Sequence, residues 1–242
     1  MTWVLRICFS ALAVAALAQP ATPTSVRGAV ELVESRDPMV RKHQDFSGVV
    51  VWLEPMGDPV PHAAPSRPAV MVQKNKTFMP HVLAIEVGGS VKFPNLDPIF
   101  HNAFSNFNGQ IFDVGLYKPG SSRTVSFQRM GIVRVFCNIH PQMSAVIAVL
   151  PTPYFAVSDK SGVFEILNAP PGDYQLHVFH ERASPETLDR LVRKLTVETA
   201  RLELPPITIS ESGYLPSPHM NKYGKQYPPL TDEQPGYGGA NK

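Results

Sequence analysis

Apolar and polar residues alternate with period two through most of this chain, and that period predicts strands. Val26, Gly28, Val30 and Leu32 share one face near the start, with Arg27 and Glu31 on the other. Residues 49–53 form a short continuous apolar run, and a proline-rich connector occupies residues 55–68. Residues 70–150 read as a unit of their own. Leu83, Ile85 and Val87 alternate, Gly88-Gly89-Ser90 turns the chain, and Val91 and Phe93 resume the pattern. Val125 and Phe127 alternate again. Val133, Val135 and Cys137 then share a strand face opposed by Ile132, Arg134 and Phe136. Residues 146–150 are continuously apolar, the mark of a buried strand.

Beyond Pro151 the punctuation changes. Asp159 and Gly162 bracket a turn, residues 163–166 are strand-like, and Pro170-Pro171-Gly172 is a strong turn signal. Tyr174, Leu176 and Val178 alternate. Ser184-Pro185-Glu186 has the form of a helix start, a serine cap followed by proline at the first helical position, with Leu188, Leu191 and Val192 on one side. Residues 195–209 return to strand-like alternation. Residues 211–242 are rich in proline, glycine and tyrosine, which predicts a disordered tail with little to bury. The fold class expected is therefore all-β, in two lobes.

Composition narrows the compartment. Arg6, the mostly apolar residues 7–17 and the small-x-small site Ala16-Leu17-Ala18 predict a secretory signal over residues 1–18, too short in its apolar run to anchor in a bilayer. Its removal takes Cys8 away and leaves Cys137 alone in a compartment where paired thiols oxidise. Export to the periplasm without membrane insertion is the expectation. A net charge of +2 gives no case for nucleic acid or for an anionic membrane surface.

The chemistry concentrates in Cys137-Asn138-Ile139-His140-Pro141-Gln142-Met143. A thiolate, an imidazole and a thioether fall three residues apart on one loop after a strand. Soft sulfur suits Cu(I) and imidazole suits either copper state, and two histidines and a cysteine in a plane with a distant methionine form a site that both states accept. The second histidine has to come from elsewhere, and Asp97-Pro98-Ile99-Phe100-His101-Asn102 offers His101. Cys137 alone would more often be an inert core thiol, and Met143 alone a core filler. Zinc is the rival ion, but a structural zinc site would want a further cysteine or histidine close by. His177 and His180 precede Glu181, yet in a strand they point to opposite faces, and no helical His-Glu-x-x-His motif exists. His81 shares strand parity with Leu83 and Ile85, placing it in the core or at its rim. His43, His62 and His219 lie in polar or proline-rich surroundings and are expected to face solvent.

The Cys137-x-x-His140-x-x-Met143 spacing resembles the ligand loop of cupredoxins, the blue copper proteins of plastocyanin and amicyanin type. Phe78-Met79-Pro80, Val87-Gly88-Gly89, Val91-Lys92-Phe93, Asn95, Asp97 and His101-Asn102 resemble the same pattern upstream. The resemblance covers residues 70–150 and implies a Greek-key β-sandwich. It also implies one type 1 copper held strongly by His101, Cys137 and His140 and weakly by Met143, with Asn102 tying the two ligand segments together. Residues 158–166 and 169–176 resemble a carboxypeptidase regulatory-like, transthyretin-like β-sandwich. Its opening strands would lie in residues 26–69 and its remainder in 151–210, with the copper unit inserted in or flanked by it. A weaker likeness to proteins labelled methylamine utilisation factors bears on pathway only.

The expected function is non-enzymatic electron transport between periplasmic redox partners that the sequence does not identify, with copper as the sole cofactor. A copper carrier delivering the ion to another protein is the alternative, since the same ligands serve both. A self-contained copper oxidase would need histidine-rich centres, and the chain has no His-x-His or His-Cys-His element.

Overall fold

A computed structural model describes residues 24–57, 67–106, 109–198, 201–215 and 219–227 of the 242-residue chain. The expected signal at 1–18 and His62 lie outside the described residues. Nearly all the regular structure is strand, and the all-β expectation holds.

Strand Ser25–Val33 is the spine of one sheet. It pairs antiparallel with Val163–Leu167 and parallel with Arg201–Glu203 and Ile207–Ser210. A second, wholly antiparallel sheet runs in the order Phe155–Val157, Val50–Pro55, Gly172–Phe179, Arg193–Val197. The inward faces of the two sheets meet in one core, with Val26, Val30 and Leu32 packed among Val51, Leu53, Leu176 and Val178. Each such side chain contributes roughly 1.5–3 kcal/mol by leaving water. Strands from before and after residues 69–150 thus build one sandwich.

The turn that launches Val163–Leu167 shows how tightly this sandwich is drawn. Asp159 Oδ1 accepts from the N–H groups of Ser161 and Val163, and Gly162 sits at φ +83°, with its carbonyl accepting from Val30 N–H. A Cβ at this glycine would overlap the Val30 carbonyl oxygen. Gly162→Ala is therefore expected to cost about 2 kcal/mol or more, read as a lowered thermal unfolding midpoint. An unaffected midpoint would mean the strand can shift away freely.

The middle of the chain forms a second sandwich. One sheet runs Ser122–Ser126, Ser90–Pro94, Ala69–Val70, and the other Val82–Glu86, Ser144–Leu150, Gly131–Phe136, Phe104–Ser105, Phe112–Asp113. A short hairpin, Val72–Lys74 with Thr77–Met79, turns through Asn75 and Lys76, both at φ +55°. Phe93, Phe127, Val133, Val135 and Ile147 are fully buried in the core between the sheets, and so is Cys137.

The two sandwiches stack sheet on sheet. Val50, Val82, Ala84, Val146, Ala148 and Leu150 form a third apolar cluster, joined by Trp52, Phe155, Val157 and Phe179. This explains the unbroken apolar runs at 49–53 and 146–150. Val49, Val51 and Leu53 face one core while Val50 and the partly buried Trp52 face the neighbouring sandwich, so both sides of the strand are covered.

Helix Pro185–Leu191 appears where its start signal predicts, with Ser184 Oγ accepting from Thr187 N–H at 3.2 Å. A second helix, Pro38–His43, uses the same device, since Asp37 caps Met39 N–H at 2.7 Å ahead of Pro38.

The composition assigns 211–242 to a tail with little to bury, but its described part differs. Glu211 is buried, and residues 219–227 lie against the middle sandwich. Their contacts are hydrogen bonds and ring stacking, which leave no periodic apolar pattern in the sequence. Residues 228–242 lie outside the described residues.

Candidate metal centre

Strand Gly131–Phe136 delivers Cys137 to the end of the middle sandwich, and strand Ser144–Leu150 leads away in antiparallel register, with Phe136 opposite Ser144. The loop between is closed by its own backbone. Cys137 N–H donates to Met143 O at 3.2 Å, and Met143 N–H to His140 O at 3.0 Å. This tight return brings His140 Nδ1 to 3.6 Å from Cys137 Sγ.

His101 arrives from the segment between strands Ser90–Pro94 and Phe104–Ser105, the latter paired with the cysteine-bearing strand. Its backbone exchanges hydrogen bonds with Tyr117 at 3.2 and 2.9 Å, and its Nδ1 lies 3.9 Å from Cys137 Sγ. The His101 and His140 ring centroids are 4.9 Å apart. The donor atoms of His101, Cys137 and His140 all lie within 4.8 Å of one another, the one such group of histidine, cysteine or carboxylate found among the described residues.

Burial and polarity prepare these donors. Asp97 Oδ2 lies 2.8 Å from His101 Nε2, which leaves Nδ1 as the nitrogen facing the sulfur. Burial alone would raise the Asp97 pKa, but the N–H of Lys76, the His101 ring and the N–H of Asn75 together hold it below the usual carboxylate range. Those two N–H groups belong to the left-handed Asn75-Lys76 turn and reach the carboxylate at 2.6 and 2.9 Å. Burial, with smaller contributions from His101 and Lys76, lowers the His140 pKa to about 4, so at neutral pH its ring keeps a lone pair to offer. Burial pushes the Cys137 thiol up, against the backbone N–H groups of Ile139, Asn102 and His140 that favour the thiolate. A metal arriving here displaces the thiol proton.

The spacing suits a single ion. With zinc's bond lengths as a yardstick, about 2.3 Å to sulfur and 2.0–2.1 Å to nitrogen, an angle of roughly 110–120° separates the donors by about 3.5–3.8 Å. The observed 3.6 and 3.9 Å lie within about 0.1 Å of that window. Two imidazoles and a thiolate suit copper or zinc, and the thioether that closes this loop is a softer donor than zinc prefers. His101 and Cys137 are fully buried, and His140 is half-buried.

The structure therefore brings together His101, Cys137 and His140. Met143, fully buried, ends the same loop and belongs to the same core cluster. Asn102 acts partly through its backbone, whose N–H is directed at the Cys137 sulfur. Its side chain donates instead to Asp113 Oδ1 at 2.7 Å and Gly115 O at 3.0 Å. The remaining histidines lie elsewhere. His81 is about half exposed, its ring between Ser144 O and Glu181 Oε1, rather than inward. His177 stacks on Trp52, and His180, on the opposite strand face, meets Glu211. His43 is exposed.

His219 is not turned to solvent as its surroundings suggest. It stacks on Phe136, with ring centroids 4.1 Å apart and planes 24° from parallel, and Tyr227 packs edge-on against it. Tyr227 Oη donates to Cys137 O at 2.9 Å, and Lys222 N–H to Asn138 Oδ1 at 3.0 Å. Lys222 Nζ reaches Asp113 Oδ2 at 2.7 Å. Sequence reasoning missed Lys222 and Tyr227, for which no local motif exists, and left Asp97 without a role, although a carboxylate four residues before a ligand histidine could have suggested one.

No family model matches the chain, and no curated protein matches it. Among solved structures it is similar to a purple cupredoxin from Nitrosopumilus maritimus, at 23% identity and TM-score 0.31 over 34% of this chain and 99% of that one. It is similar to the oxidised P94A mutant of amicyanin, at 19% identity and TM-score 0.33 over 34% of this chain and 82% of that one. It is also similar to a copper-containing nitrite reductase from Thermus scotoductus, at 23% identity and TM-score 0.34 over 50% of this chain but 28% of that one. At that level of similarity, the case for a metal centre in this chain rests on its own residues.

Proposed function

We propose that the chain is a periplasmic, non-enzymatic type 1 copper protein that carries single electrons between redox partners. His101, Cys137 and His140 would hold the ion and Met143 would be the weak fourth ligand. The observation that supports this most is the convergence of one thiol and two imidazoles within 4.8 Å at the end of a buried sandwich. When bound, copper supplies a one-electron couple in a site acceptable to both of its states.

The chain's own part is to keep that site unchanging and to open it at one edge. His101 is pinned by Asp97 and by the Tyr117 bridge, and Cys137 is held by the loop's internal hydrogen bonds. His140 alone of the three is only half-buried, which makes its edge the route for electrons to a docked protein. Leu96, Phe100 and Leu116 are exposed apolar side chains close in sequence to His101 and its bridge partner Tyr117.

Copper titration followed by optical and electron-spin spectroscopy tests the reading. An intense visible thiolate-to-Cu(II) band, reversible on reduction with copper retained, is the expected result. A colourless copper-loaded protein would refute a blue site, and ready loss of Cu(I) would turn the reading towards delivery.

Asp97→Asn separates support from ligation. The amide cannot match the charge-assisted bond to His101 Nε2, so copper affinity is expected to fall about 10–100-fold with the blue band still present. Competition with a chelator of known affinity measures it. An unchanged affinity would mean that the backbone alone orients His101.

A further inference from the structure

Residues 219–227 add no strand to either sandwich, yet they are bound at one place only among the described residues. Their hydrogen bonds to the remainder of the protein end on Cys137, Asn138 and Asp113, and the His219 ring covers Phe136. The segment also carries its own scaffold. Asn221 Oδ1 accepts from the N–H groups of Tyr223 and Lys225 at 2.9 and 3.1 Å, and Asn221 N–H donates to Lys225 O at 2.9 Å.

Lys222 closes a circuit between the two pieces of backbone that carry the metal donors. Its N–H holds Asn138, the residue after Cys137, and its ammonium holds Asp113. Asp113 in turn accepts from the side chain of Asn102, the residue after His101, whose backbone N–H is directed at the Cys137 sulfur. Tyr227 adds a direct bond to the carbonyl of Cys137 itself. We propose that Lys222 and Tyr227 are positioning residues of the metal centre, and that the 219–227 strap fixes the distance between the His101 segment and the cysteine loop. This deepens the copper reading above and rests on it. A donor set whose spacing is fixed from outside the two ligand segments changes little between oxidation states, which is the requirement for fast single-electron exchange.

The test uses the full chain with Tyr227→Phe, Lys222→Met and Lys222→Arg. Lys225→Met, on the same turn with an exposed side chain, is the charge-matched control. Tyr227→Phe keeps the ring and removes only the hydroxyl. Each of Tyr227→Phe and Lys222→Met is expected to speed Cu(I) transfer to a chelator by about threefold to tenfold, the range one net hydrogen bond commands. Each should also shift the thiolate-to-Cu(II) absorption maximum, with Lys222→Arg restoring it and Lys225→Met leaving it in place. In the metal-free chain, amide exchange at Cys137 and Met143 should accelerate in the same two variants. Unaltered transfer and spectrum in both overturn the proposal, even if exchange changes, because the strap would then be a brace without influence on the centre. Should the unaltered chain show no such band, the blue copper reading fails instead. Amide exchange in the metal-free chain then decides alone whether the strap fixes the loop.

Discussion

Replacing Cys137 by serine is expected to abolish the thiolate-to-Cu(II) band and to weaken copper binding by more than about 100-fold. Removing a hydrogen bond that merely supports a ligand costs roughly 10–100-fold, and this substitution removes the only sulfur anion in the donor set. The fold should survive. Serine is smaller than cysteine by little, and the N–H groups of Ile139, Asn102 and His140 that surround the sulfur can serve a hydroxyl oxygen as well. The metal-free variant is therefore expected to lose no more than about 1–3 kcal/mol, the cost of burying one hydroxyl in an apolar core. Two measurements on the same sample check this, the visible spectrum after copper addition and the unfolding midpoint before it. A variant that still turns blue would place the sulfur outside the centre, and one that fails to fold would make Cys137 a structural residue first.

Two parts of the architecture show why some features were legible and others were not. The strand that carries Val133, Val135 and Cys137 inward is written in period two, and all three are fully buried. The cysteine's partner His140 is legible because a tight loop makes sequence spacing a proxy for distance. His101 is legible only by elimination and by resemblance, since nothing local records that its segment will meet the cysteine 36 residues on. Residues 49–53 announce burial but not its cause. A run buried on both faces reads the same whether its second cover is a helix, another chain or, as here, a neighbouring sheet. Helix Pro38–His43 shares the cap-then-proline signature of Pro185–Leu191, but a helix of six residues leaves too short an apolar pattern to be seen. The strap was illegible for a different reason. Lys222, His219 and Tyr227 act through hydrogen bonds, a stack and an ion pair with residues 83 to 109 positions away, and none of these has a period.

Glu211 lies where composition places the start of a loose tail, and its loss is expected to be among the most damaging single changes outside the metal centre. Its carboxylate is buried and accepts from Ser35 Oγ at 2.5 Å, His180 Nε2 at 2.7 Å and the Arg182 guanidinium at 3.0 Å. Arg182 extends the group to Asp37 at 3.2 Å, ahead of the first helix. The cluster thus pins the end of strand Ile207–Ser210 to the end of strand Gly172–Phe179 and to the chain after Ser25–Val33. Glu211→Ala leaves the buried His180 ring without its acceptor and Arg182 with only Asp37 and Glu181 as partners, which costs about 3 kcal/mol. The pH dependence of stability probes the same cluster. Burial would raise the Glu211 pKa, but the bonds from His180 and Ser35 and the charge of Arg182 overcome it and hold the group at about 2. A carboxyl depressed on folding stabilises the native state above its unfolded pKa of about 4.5, and that contribution is lost as pH falls from there towards 2. Urea unfolding at pH 7 and at pH 3 should therefore show the unaltered chain losing stability on acidification more steeply than Glu211→Ala does. Parallel losses in the two chains would mean that other carboxylates govern the acid transition and that Glu211 is held by packing rather than by charge.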